Sequence, residues 1–187
     1  MPMSFTIHTR DSAPDDAKPW MEATQKKFGM IPNLFGLMAE SPALLEGYVS
    51  LSALFFQNTD LSDTERQIVL MTASRLNGCE YCMTGHSVEA ESQGVAMPVI
   101  ETMREGTGLD DAKLEALRQF TETVVKSRGW PSKADVGALI TAGYTRQTVL
   151  EVILGVGLKT LSNYTNHIVE TPLDKATAHR AWSATPE

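Results

Sequence analysis

Only two cysteines occur in this 187-residue chain, and it has no run of clustered lysine or arginine, no long apolar stretch and no second strand-like segment to pair with a first. Each absence narrows the possibilities. With 16 Lys and Arg against 23 Asp and Glu, a net charge of -7, the chain lacks the concentrated cations that phosphate binding needs, so no nucleic-acid partner is expected. The longest apolar run, Val149 to Leu158, is interrupted by Glu151 and falls far short of the roughly 20 residues of a membrane span. The opening MPMSFTIHTRDSAPDDAKPW has no apolar core of a secretory signal, so no membrane partner and a cytoplasmic setting are expected. His8, His167 and His179 stand alone, without a second CxxC or an HxxxH spacing. A zinc site would lack a fourth ligand, so neither a metal nor a bound cofactor is expected.

What is present is helical rhythm. Apolar residues make up 42% of the chain, enough for one sizeable core. Phe5 to Thr9 reads as a short extended arm, and the remainder repeats with a 3.6-residue period broken by Pro and Gly. The pattern predicts helices at 18–28, 32–39, 42–57, 62–76, 79–93, 97–105, 110–127, 133–142 and 146–170, with a weaker one at 174–182. Pro19, Pro32, Pro42 and Pro98 stand where first helical turns would begin, a position proline tolerates. The expectation is an all-α single domain, with residues 1–17 as an N-terminal arm and 18–187 as the helical bundle.

The two cysteines are not scattered. They form Cys79-Glu80-Tyr81-Cys82, with His86 four residues on. Asn77-Gly78 before them suits a helix stop, and a helix from 79 places Cys79, Cys82 and His86 at i, i+3 and i+7 on one face. A helix's first turn carries partial positive charge, which lowers a cysteine pKa from about 8.5, and an imidazole one turn away can exchange a proton near neutrality. An inert buried pair and a structural zinc site stand beside this redox reading. In helix 62–76, Glu65 falls within the apolar stripe of Leu61, Ile68, Val69, Thr72 and Leu76. Burial there would raise its pKa and suit it to relay protons with His86, whereas Ser62-Asp63-Thr64-Glu65 also matches a capping box.

The segment LSDTERQIVLMTASRLNGCEYCMTGH (61–86) resembles the AhpD-like alkylhydroperoxidase and carboxymuconolactone decarboxylase superfamily. IPNLFGLMAESPALLEGY (31–48) is similar to the entry helices of its peroxidase-related branch, and 142–174 to its closing helices. The resemblance implies an AhpD-like bundle in which Cys82 attacks a hydroperoxide, Cys79 protonates the leaving alcohol and resolves the sulfenate, and His86 belongs to the proton relay. It also implies an external dithiol as reductant. Gln67 stands where many members carry a carboxylate, which leaves Glu65 as the nearest acid, and Tyr81 stands where some members have histidine. Together with the apolar excess around Leu54, Phe55 and Phe56, the resemblance suggests a homo-oligomer, a trimer or hexamer ahead of a dimer. Asn163, Asn166 and His167 form a polar group in an apolar helix, readable as pocket lining or as hydrogen-bonded core. The alternatives are a lactone-acid decarboxylase of the same superfamily and a non-enzymatic zinc-binding or redox-sensing module.

Overall fold

Local chemistry sets most helix boundaries in the computed structural model, which describes residues 4–184. After a single 3-10 turn at Asp15–Ala17, α1 spans Lys18–Phe28, with Pro19 in its first turn. Pro32 caps the short α2 (Asn33–Met38), and Ser41 caps α3 (Pro42–Asn58) through its side-chain oxygen. Capping boxes open α4 (Asp63–Leu76), where Ser62 and Glu65 bond reciprocally, and α8 (Lys133–Thr141), where Ser132 and Asp135 do the same. Between these lie α5 (Glu80–Ser92), α6 (Met97–Glu105) and α7 (Ala112–Lys126), the last capped by Asp111. Thr145 caps the 24-residue α9 (Arg146–Val169).

No strand occurs among the described residues. Phe5 to Thr9 remains irregular, tied down by His8 N–H donating to Gly36 O at 3.1 Å and by the His8 ring on Glu40. The weaker helix expected at 174–182 shrinks to one 3-10 turn, Ala178–Arg180. Its carbonyls are drawn elsewhere: the Arg104 guanidinium takes Arg180 O at 3.0 Å and Ala181 O at 3.1 Å, and no residue of the turn is buried. This tail lies across α5, where Trp182 N–H donates to Thr84 Oγ1.

Helix α4 is the axis of the bundle. Every side chain from Gln67 to Ser74 is buried, because α5, α7 and α9 pack around it. That encirclement explains its near-continuous apolar run, since a helix buried on all sides has no polar face. Phe55 on α3, Ile68 and Leu70 on α4, Met83 on α5 and Leu117 on α7 are fully buried and form the core. Phe56 is only partly buried and Leu54 is half exposed, so the three consecutive apolar residues fill different environments. An apolar stripe on α9, Leu150, Ile153, Tyr164 and Ile168, stays exposed.

Candidate active site

The chain reverses between α4 and α5 at Gly78, whose φ of +65° is one that side-chain-bearing residues rarely adopt. Cys79 is consequently the N-cap of α5, in extended conformation, and the helix begins at Glu80. Cys79, Cys82 and His86 nonetheless point the same way, toward α9. Facing them on α9 are Asn166, Ser162 and Lys159, so two stripes of i, i+3, i+7-type spacing meet antiparallel. At one end Asn166 Nδ2 donates to Cys82 Sγ at 3.1 Å and to Cys79 Sγ at 3.5 Å. Ser162 Oγ lies 3.7 Å from Cys82 Sγ. At the other end Lys159 Nζ donates to His86 Nε2 at 2.8 Å.

The second ring nitrogen of His86 fixes this arrangement. Nδ1 lies 3.1 Å from Glu89 Oε2 and 3.1 Å from Gln67 Oε1, two acceptors that hold its proton. Gln67 is oriented in turn by donating to Gln93 at 2.9 Å. With Nδ1 as donor, Nε2 is left as the acceptor that the Lys159 ammonium requires. Burial and the Lys159 charge both push the His86 pKa down, which favours the neutral ring that this hydrogen-bond pattern requires. Burial opposes ionisation of Glu89, but its hydrogen bond to His86 prevails, with help from Lys27 and Gln67, and its pKa falls to about 2.

The two thiols are driven apart. For Cys82, burial favours the neutral form, yet the Cys79 thiol, the Lys159 charge, His86 and Ser162 outweigh it and hold the pKa well below the ordinary thiol value. For Cys79, the interaction with Cys82, then burial and the Cys82 charge, push it up, so it remains a thiol. Both sulfurs are free and buried. Only Cys82 reaches the wall of a cavity of about 430 Å³, which is lined also by Phe35, Tyr48, Phe56, Tyr81, His86 and Lys159. Tyr81 donates to Asp174 Oδ2 and accepts from Leu34 N–H at 3.2 Å, so its hydroxyl pins the tail segment over the cavity.

Glu65 is not part of this assembly. One of its oxygens takes the backbone and hydroxyl of Ser62, at 2.9 and 2.8 Å, and the other takes Lys113 Nζ at 3.2 Å. Burial raises its pKa, but the Ser62 hydrogen bonds and then Tyr144 and Lys113 outweigh it, so the net shift is downward, opposite to the expected rise. The two-residue step from 65 to 67 turns a helix by about 200°, which places Gln67 toward His86 and Glu65 away from it. Its contribution is therefore to folding. Because the folded-state pKa lies below the unfolded one, that contribution is complete above about pH 4.3 and is lost as pH falls through the folded value. Glu65→Ala is expected to lower stability by about 0.5–2 kcal/mol while leaving the alkylation rate of Cys82 unchanged, which a melting curve and a thiol titration would check.

Periodicity did not single out Lys159, Ser162 or Glu89. The available signal was Lys159 itself, a charged residue seven before Asn166 on an apolar helix. The polar group of 163, 166 and 167 divides: Asn163 is buried, accepting from Asn77 at 2.8 Å, Asn166 meets the sulfurs, and His167 is exposed. No cluster of three or more His, Cys, Asp or Glu placed to hold a metal occurs among the described residues. No helix among them is long and apolar enough to cross a membrane.

Residues 42–122 match the model of the Carboxymuconolactone decarboxylase family. No curated protein matches the sequence. Among solved structures, a peroxidase-related protein from Ralstonia eutropha JMP134, described as an alkylhydroperoxidase AhpD core, superposes with a TM-score of 0.83 at 20% identity over 100% of both chains. A peroxidase-related protein from Silicibacter sp. TM1040 gives 0.79 at 19% identity over 94% of both. A Cys-to-Ala variant of the debrominase Bmp8, in complex with 2,3,4-tribromopyrrole, gives 0.81 at 18% identity over 96% of both. At these identities the likeness extends to the fold.

Proposed function

We propose that this chain is an AhpD-like member of the carboxymuconolactone decarboxylase superfamily and that it acts as a dithiol hydroperoxide reductase. One observation carries the reading: of two adjacent thiols, only Cys82 faces the cavity, where its surroundings push its pKa well below the ordinary thiol value, while that of Cys79 behind it is pushed up. The Cys82 thiolate attacks the distal peroxide oxygen, the O–O bond breaks, and Cys82 becomes a sulfenic acid while the leaving alkoxide takes the Cys79 proton. The Cys79 thiolate then displaces hydroxide from Cys82, closing a disulfide. An external dithiol returns both sulfurs to their starting state and is itself oxidised. The apolar cavity suits an organic hydroperoxide. Such turnover requires a reducing compartment, in keeping with a cytoplasmic protein. The exposed α9 stripe would serve self-association into a trimer or hexamer, which light scattering on the purified protein would measure.

Intact mass tests the reading. One equivalent of an alkyl hydroperoxide should remove two hydrogens from reduced protein far faster than it oxidises a free thiol; a rate no faster than a free thiol's would sink the proposal. A second reading shares the same two electrons. The aromatic lining and the debrominase-like fold favour thiolate attack on the halogen of a haloarene. The carbon would gain a proton, and Cys79 would displace halide from the sulfenyl halide at Cys82. Halide release from a halogenated pyrrole in the presence of dithiol, with no peroxide consumption, would select it.

A further inference from the structure

Lys159 is one of the largest fully buried side chains of the protein, with 1% of its surface exposed. An ammonium removed from water carries a penalty of several kcal/mol unless an anion stands near it. No carboxylate pairs with Lys159 among the described residues; its one hydrogen bond goes to a neutral imidazole nitrogen. Glu89 is turned toward Nδ1, on the far side of the His86 ring from Lys159. The other groups facing this region are Cys79, Cys82 and His86 from α5, Tyr48 from α3 and Gln67 from α4, with Lys27 from α1 acting on Glu89. Of these, Cys82 lines the same cavity wall as Lys159, and its sulfur is held by Asn166 of the same helix as Lys159. Ser162, one turn along α9 from Lys159, already lies against that sulfur.

We propose that Lys159 is the counter-ion of Cys82, a positioning residue whose buried ammonium keeps the thiol ionised while His86, neutral, serves to aim it. The assignment rests on Cys82 being the reactive thiol. It reverses the order of the relay suggested by the CxxC-x3-His spacing: the proton given up by the Cys82 thiol resides on the Lys159 amine, and the Gln67–Glu89–His86 chain holds that amine in register. The proton count is conserved, thiol and amine becoming thiolate and ammonium. Burial alone would discharge the lysine, but the Cys82 charge outweighs it, followed by Tyr48 and Cys79, and the net shift of Lys159 is upward. The downward shift of Cys82 is the other half of the same pairing.

The test is the pH profile of Cys82 alkylation by iodoacetamide, read at that residue by peptide mass spectrometry and needing no peroxide. Wild type should keep its alkylation rate to a lower pH than a free thiol does, since the thiolate persists until pH falls through its lowered pKa. Lys159→Met should move the midpoint up by one unit or more and cut the pH 6 rate at least tenfold. Lys159→Arg, which retains the charge, should restore most of it. His86→Gln should shift the midpoint less than Lys159→Met. An unmoved midpoint in folded Lys159→Met, or a larger shift in His86→Gln, would overturn the assignment. Should Lys159→Met not fold, the Cys79→Ser variant with Cys82 capped by a neutral methylthio group, which has no neighbouring thiol to displace the cap, gives the converse reading when compared with the same variant uncapped. The Lys159 pKa, followed by NMR of the labelled side chain, should then fall, and no change would equally overturn it. Absence of hydroperoxide turnover would refute the peroxidase reading and leave this one standing.

Discussion

Cys82→Ser is expected to lower hydroperoxide consumption by about a thousandfold or more, the scale on which loss of a nucleophile acts. A serine hydroxyl in the same place would not ionise, however well Lys159, Ser162 and Asn166 are arranged around it. Cys79→Ser should behave differently. Its Cys82 still faces the cavity, so it should react with a single equivalent and stop as a sulfenic acid that dimedone traps. Stopped-flow peroxide consumption and intact mass separate the two cases. Equal residual turnover in both variants would mean that the thiols are interchangeable, contrary to the burial of Cys79 behind Cys82 and to their opposite pKa shifts.

Gly155→Ala is expected to destabilise the protein by about 1–3 kcal/mol, the range for overpacking a close-packed core. A Cβ at this position would stand 2.7 Å from Val69 Cγ1 and 2.8 Å from Phe55 Cε2, distances that force a neighbour to move. Phe55 is fully buried on α3 and Val69 lies in the encircled part of α4, so neither can swing into solvent. The glycine thereby lets α9 approach α3 and α4 closely, and α9 carries Lys159, Ser162 and Asn166. Val69→Ala in the same chain should restore part of the loss by vacating the offending methyl, a coupling that a double-mutant cycle in denaturant would measure. Additive losses would show that the clash is relieved by other means.

The degree to which the sequence disclosed these features follows the range of the forces involved. Helix positions were legible because caps and turn residues act within four positions: Ser62 with Glu65, Ser132 with Asp135, and Gly78 at the reversal before Cys79. The stripe of Cys79, Cys82 and His86 was legible for the same reason, since a helix turns by a constant angle. The proton path was not. Glu65 and Gln67 both lie on a helix buried from several sides, so apolar periodicity marked both as inward without saying which neighbour each would meet. The tail at 174–182 had a faint helical rhythm, but Arg104, about 75 residues earlier, claims its carbonyls.

By itself the sequence determined an all-helical chain and placed two thiols and an imidazole along one helix face, because both depend on interactions between residues close in the chain. Only the tertiary structure decided that α9 would oppose that face antiparallel. That docking set Lys159 against His86, put Asn166 on both sulfurs and turned Cys82 rather than Cys79 toward the cavity. The division has a physical cause. Backbone geometry is settled by local hydrogen bonds, whereas the ionisation of a buried thiol is settled by which charges packing brings within a few ångströms in a medium that screens them weakly.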